Sequence, residues 1–178
     1  MIDLRPITPS DQGALMHLMQ RIYPPAYAHF WPDDGAWYVE SQFGEENFSR
    51  EIQAVNAEYH FVLQKDLPVG IIRLLCNVSP PEHPEKRAMK LHRLYLDQAV
   101  QGRGLGRQAI EWAIGRARTT GHELLWLEAM TCAPRAIDFY TRMGFMHSAS
   151  YTLHMPLMHP EMRGMCRMEL AVPGILPG

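Results

Sequence analysis

The chain reads as a single domain of the α/β (α+β) class, spanning residues 1–178, and three observations predict it. Its 178 residues are enough for one well-buried core and too few for two comfortable ones. Stretches with strand character are interleaved with stretches of helical period, without repeats, low-complexity tracts or linkers. Val69 to Cys76 is an almost continuous apolar run, which suits a central strand covered on both faces.

Taken in order, Ile2 to Ile7 alternates apolar and polar residues as a first strand. Thr8-Pro9-Ser10-Asp11 then offers N-cap chemistry to a helix whose buried face carries Leu15, Leu18, Met19 and Ile22. Pro24-Pro25 is expected to break or kink that helix. Tyr27 to Tyr38 mixes aromatics, acids and turn residues and reads as a functional loop, and Phe43 to Asn56 follows as a second helix. Tyr59 to Gln64 and Val69 to Cys76 form a hairpin about Lys65-Asp66-Leu67-Pro68. After the loop Ser79 to Glu85, Ala88 to Leu96 is a further strand. Leu105 to Thr120 has a helical period that ends at Gly121. Leu124 to Met130 is a buried strand, and Pro134 suits the first turn of the helix carrying Tyr140. Phe145 to Met155 and Met165 to Val172 close the sheet ahead of a short tail, Pro173 to Gly178.

The most informative stretch is Gln101-Gly102-Arg103-Gly104-Leu105-Gly106, with glycines at alternate positions directly before a helix. Such a bend lets backbone N–H groups converge with the unpaired N–H groups of the helix start, a combination that holds anions. Arg103 and Arg107 on either side favour a diphosphate over a lone carboxylate. A nucleotide P-loop needs Lys-Ser/Thr after its glycines, whereas Gly106 is followed by Arg107-Gln108. A dinucleotide fingerprint needs Gly-x-Gly-x-x-Gly, whereas the spacing here is Gly102-x-Gly104-x-Gly106.

Gln101-x-x-Gly104-x-Gly106 resembles the acyl-CoA diphosphate loop, Gln/Arg-x-x-Gly-x-Gly/Ala, of the GNAT superfamily of N-acetyltransferases. Downstream, Ala136-Ile137-Asp138-Phe139-Tyr140-Thr141-Arg142-Met143-Gly144-Phe145 resembles that superfamily's helix ending Phe-Tyr-x-x-x-Gly-Phe. The resemblance runs from about Tyr59 to Val172 and thins towards the N-terminus. It implies a mixed, mostly antiparallel sheet with helices on both faces, split near its centre to admit acetyl-CoA as cosubstrate. It implies that the backbone of Leu94, Tyr95 and Leu96 binds the pantetheine arm. Gln101, Gly102, Arg103, Gly104, Leu105 and Gly106 are then expected to hold the diphosphate, and Tyr140 to donate a proton to the departing thiolate. The region between the first two strands is implied as one wall of the acceptor pocket.

Two departures qualify the resemblance. Many members carry a glutamate as general base on the strand before the loop, and the matching position is Lys90. His92, two residues on, has an unperturbed pKa of about 6.5 and is the candidate left to accept the amine's proton. Ala133 stands where an asparagine often precedes the tyrosine helix. These departures leave a catalytically silent acyl-CoA-binding or regulatory domain as an alternative, and a protein or peptide N-terminus as an alternative acceptor. Tyr140 favours an enzyme.

For the acceptor, Asp33, Asp34, Glu40, Glu45 and Glu46 surround Phe30, Trp31, Trp37 and Tyr38. Acids with aromatics attract a cation, so a small amine of polyamine type is expected, touching Phe30, Trp31, Asp33 and Asp34. A net charge of -2, with 20% charged residues, lacks the basic excess of a general nucleic-acid binder. No long apolar run and no basic-then-apolar N-terminus appear, so no membrane partner and a cytoplasmic location are expected. Cys76, Cys132 and Cys166 fall outside any metal or redox motif. Met155, Met158, His159, Met162, Met165, Cys166 and Met168 are soft ligands by type, but methionine also fills cores, and no metal is expected. The resemblance allows a homodimer.

Overall fold

In the computed structural model, which describes residues 2–173, seven strands form one sheet in the order β1-β2-β3-β4-β5-β7-β6. They are β1 (Asp3–Pro6), β2 (Ala57–Gln64), β3 (Leu67–Cys76), β4 (Ala88–Leu96), β5 (Leu124–Met130), β6 (Met146–Thr152) and β7 (Gly164–Ala171). The helices are α1 (Gln12–Tyr27), α2 (Ala36–Phe43), α3 (Glu45–Ile52), α4 (Leu105–Thr119) and α5 (Pro134–Arg142). Neighbouring strands run antiparallel apart from β4 and β5, whose parallel contact is reached by a crossover through α4. The strand alternation divides the core in two. Val62 and Ile72 pack with Ala109, Ile110 and Ala113 of α4, while Phe61 and Ile71 on the other face pack with Leu15, Met19 and Phe43 of α1 and α2. The expected mixed, mostly antiparallel sheet with helices on both faces is what forms.

Several local expectations are corrected. Pro24 and Pro25 do not end α1, which runs on to Tyr27 and closes with the Ala28 N–H on the Pro24 carbonyl. Packing explains it: Tyr23 and Tyr27, one turn apart, are held in an aromatic cluster with ring centroids 4.8 Å apart. The stretch Tyr27 to Tyr38 is largely ordered into a 3₁₀ turn at Ala28–Phe30 and the start of α2. The helix expected over Phe43 to Asn56 is α3 alone, and Gly44 separates it from α2, which begins within the stretch read as a loop. A side chain at Gly44 would meet the Glu40 carbonyl oxygen at 2.4 Å, so the close approach admits glycine alone. Of the closing strands, β6 is shorter than expected, ending at Thr152, and β7 is shifted by one residue. Of the C-terminal tail, residues 174–178 lie outside the described residues.

β4 pairs with β5 only through Ala88–Leu91 against Leu124–Leu127. Beyond that point β4 stays with β3, where Leu94, Tyr95 and Leu96 face Ile72, Ile71 and Gly70, while Glu128, Ala129 and Met130 stay with β7. The sheet therefore forks after Leu91 and Leu127. At the fork, Arg73 pairs with Arg93 and Leu74 with Leu91, leaving His92 as the extra residue of a β-bulge.

Candidate active site

The fork opens into a cavity of about 310 Å³. Lys90, His92 and Leu94 of β4 lie along one side and Glu128 and Met130 of β5 along the other. Ala133, Ala136 and Tyr140 come from α5, and an aromatic and methionine wall from α1, α2 and the β6–β7 connection. In that wall Tyr23 stacks on Tyr38 at 4.7 Å, and the Tyr38 and Tyr95 hydroxyls are 2.9 Å apart.

β4 leads directly into the glycine bend. Asp97 accepts a bond from the Ala99 N–H and is held by Arg21 at 2.6 Å, which fixes the 3₁₀ turn Gln98–Val100. The chain then passes through Gly102 (φ 76°) and Gly104 (φ 79°), both left-handed, and Gly104 is the N-cap of α4. The first bond of α4 is from the Gln108 N–H to the Gly104 carbonyl, so the N–H groups of Leu105, Gly106 and Arg107 have no intrahelical partner. Gly102 faces open space, with nothing within 4 Å of the position a Cβ would take. Arg103 contacts Gln64 at 3.3 Å, and Arg107 is paired with Glu111 at 2.7 Å. Such an arrangement can hold an anion, and its N–H groups with the unpaired β5-facing edge of β4 fit an extended molecule with a diphosphate at one end.

Tyr140 projects from α5 into the cavity, and burial, helped by Tyr27, raises its phenol well above the usual value. It stays protonated at any working pH. The Ala133 side chain gives α5 no cap. His92 is the opposite case. Burial, reinforced by Arg93, Arg73 and Lys90, pushes its imidazole down to about 2, and its Nδ1 lies 2.8 Å from Arg73 Nη1. An arginine can only donate, so Nδ1 accepts and the imidazole is neutral, with its proton on Nε2. Such a ring is a weak base, which weakens the role expected for His92. Behind it, Arg73 and Arg93 are almost fully buried and share Glu51; Arg93 also donates to Gln42 at 2.8 Å.

Lys90, at the position matching the glutamate of many members, pairs with Glu128 across the fork at 2.7 Å. Burial opposes ionisation of Glu128, but the Lys90 bond and charge, with Tyr151 and Arg167, outweigh it and hold the carboxyl below its usual range. Glu128 is the residue that sequence reasoning missed. Its signal was present, since it is the one charged residue in Leu-Leu-Trp-Leu-Glu-Ala-Met.

Of the residues expected to meet the acceptor, Phe30 lines the cavity. The others sit elsewhere. Trp31 is a core residue whose Nε1–H donates to the Tyr23 hydroxyl at 3.0 Å. Asp33 caps the start of α2 by accepting from the Gly35 and Trp37 N–H groups, and Asp34 borders a separate surface hollow with Gln20 and Glu40. The methionine cluster also divides: Met155, Met158 and Met165 line the cavity, while Cys166 and Met168 belong to the opposite core.

The pattern of the acetyltransferase (GNAT) family matches residues 15–145. The chain belongs to that family. Within GNAT proteins it is 26% identical over 113 residues to an uncharacterized N-acetyltransferase of Lactobacillus delbrueckii subsp. lactis, covering 64% of this chain and 65% of that one. It thus spans a little under two thirds of that relative's length. The fold is similar to the PaiA N-acetyltransferase from Thermoplasma acidophilum in complex with coenzyme A, with a TM-score of 0.73, 15% identity and coverage of 96% and 99% of the two chains. It is also similar to a spermidine N-acetyltransferase chimera from Vibrio cholerae, with a TM-score of 0.69, 15% identity and coverage of 96% and 95%.

Proposed function

We propose that this GNAT protein transfers the acetyl group of acetyl-CoA to a small primary amine. The observation that carries the proposal is the fork itself, with β4 leading into the anion cradle and Tyr140 lining the gap. In this reading the free edge of Leu94, Tyr95 and Leu96 binds the pantetheine arm, and residues 101–106 take the diphosphate. Tyr140, kept protonated by burial, is the proton donor to the departing thiolate. The bound coenzyme A of the Thermoplasma protein supports use of an acyl-CoA here.

The acceptor approaches from the aromatic and methionine side. A polyamine was suggested by Asp33 and Asp34, and the likeness to the spermidine enzyme is one of fold; since both acids lie outside the cavity, neither carries that choice. The weak basicity of His92 and the alanine at 133 favour a silent acyl-CoA-binding domain as the second reading. Release of free thiol from acetyl-CoA, measured with and without a panel of amines, separates the two. Amine-dependent release is expected, whereas tight coenzyme A binding with no amine-dependent release supports the silent domain.

A further inference from the structure

The charges at the base of the fork bear on which amine is acetylated. Lys90 and Glu128 meet where β4 and β5 part, and their side chains, 16% and 21% exposed, both line the cavity. Neither is saturated. Lys90 has one hydrogen-bonded partner, Glu128, and stands 4.5 Å over the Trp126 ring, while Glu128 also meets Arg167 at 3.3 Å and the Tyr151 hydroxyl. An ammonium and a carboxylate each have bonding capacity beyond that. A ligand bearing both charges would join this pair in alternation, its carboxylate at Lys90 and its amine at Glu128.

The surrounding buried charges are close to balanced. Arg73 and Arg93 share Glu51, and Arg167 is matched by Glu82 at 2.6 Å. With Lys90 set against Glu128, Arg73 and Arg93 leave one positive charge over behind the bulge, and the buried carboxylate of Glu169, opposite Trp126 on the same face, offsets it. A ligand that brings both an ammonium and a carboxylate keeps this balance, whereas a polycation adds unmatched charge. The facing wall of Tyr23, Tyr27, Phe30, Met155 and Met158 offers polarisable apolar surface with no opposing charge.

We propose that the acceptor is a free α-amino acid with an aromatic or apolar side chain, read by the Lys90–Glu128 pair at its zwitterionic end and by the tyrosine and methionine wall at the other. The inference rests on the acetyl-transfer reading above. In the step itself the ammonium first gives a proton to solvent, and the free amine attacks the thioester carbon. The C–N bond forms and the C–S bond breaks. The thiolate takes the Tyr140 proton, the nitrogen's surplus proton restores the phenol, and the products are the amide, free thiol and one released proton.

The test compares kcat/KM for L-phenylalanine, phenylalanine amide, phenethylamine and spermidine in the unaltered protein. L-Phenylalanine is expected to lead by roughly tenfold or more, the yield of one charge-assisted contact. Lys90→Met is expected to raise KM for L-phenylalanine to the level of its amide while coenzyme A affinity and Tm hold, and Lys90→Arg to keep the preference. Equal or faster turnover of the amide, phenethylamine or spermidine overturns the amino-acid inference while leaving acetyl transfer standing. Absence of turnover with every amine overturns both. Should Lys90→Met fail to fold, the comparison in the unaltered protein still decides.

Discussion

Burial acts in opposite directions on two side chains of the cavity, keeping Tyr140 protonated and His92 unprotonated. The consequence for rate against pH is specific. With chemistry limiting, activity is expected to rise as the amine loses its proton, to show no step near the ordinary histidine value of about 6.5, and to show no fall through about pH 10 from the phenol. A step near 6.5 that disappears in His92→Gln would restore His92 as the base. For stability the sign is the same: the unfolded state takes up the His92 proton below about 6.5 and the folded state does not, so acidification through that window destabilises the fold. Tyr140→Phe removes the donor alone, and kcat is expected to drop by about 10²–10⁴-fold with unchanged coenzyme A affinity. At the bend, Gly104→Asp places a carboxylate and a strained left-handed side chain in the cradle, and the rise in Tm on adding coenzyme A should vanish. A full shift in that variant would move the diphosphate elsewhere.

At the scale of elements, the fork depends on what lies behind β4. The bulge at His92 is backed by Arg73, Arg93 and Glu51, which ties β3 and β4 to α3. Glu51→Ala strands two buried guanidinium groups, and the expected loss is about 3–5 kcal/mol by denaturant titration. A loss below about 1 kcal/mol would mean that solvent reaches the arginines and that the bulge is held by backbone pairing alone. Strands and the Tyr140 helix were legible in the sequence because their periodicity matches their burial. The two prolines of α1 and the break at Gly44 were not, since the first is decided by aromatic packing from distant segments and the second by a single close approach to the Glu40 carbonyl. Asp33 shows the same limit: an acid beside aromatics reads as a binding group until its carboxylate is seen capping α2.

Over the whole molecule, the two cores cover the two faces of the sheet, and each takes residues from both β4 and β5. α4 and α5 pack against one face and α1 to α3 against the other, so the gap between β4 and β5 is set by the fold and not by a loop. The glycine bend and the Tyr140 helix were readable because both are local signals. The acceptor end was not, because Tyr23, Tyr38, Lys90, Glu128 and Met158 come from five separate elements or connections and meet only in three dimensions. The central claim is that the fork is an acetyl-CoA cleft aimed at that acceptor wall, and a crystal structure of the protein with coenzyme A tests it most directly. The account predicts the diphosphate on the N–H groups of residues 102–107, the pantetheine arm between β4 and β5 along Leu94–Leu96, and the thiol beside the Tyr140 hydroxyl. Coenzyme A bound elsewhere, or with its thiol directed away from Tyr140, would contradict it.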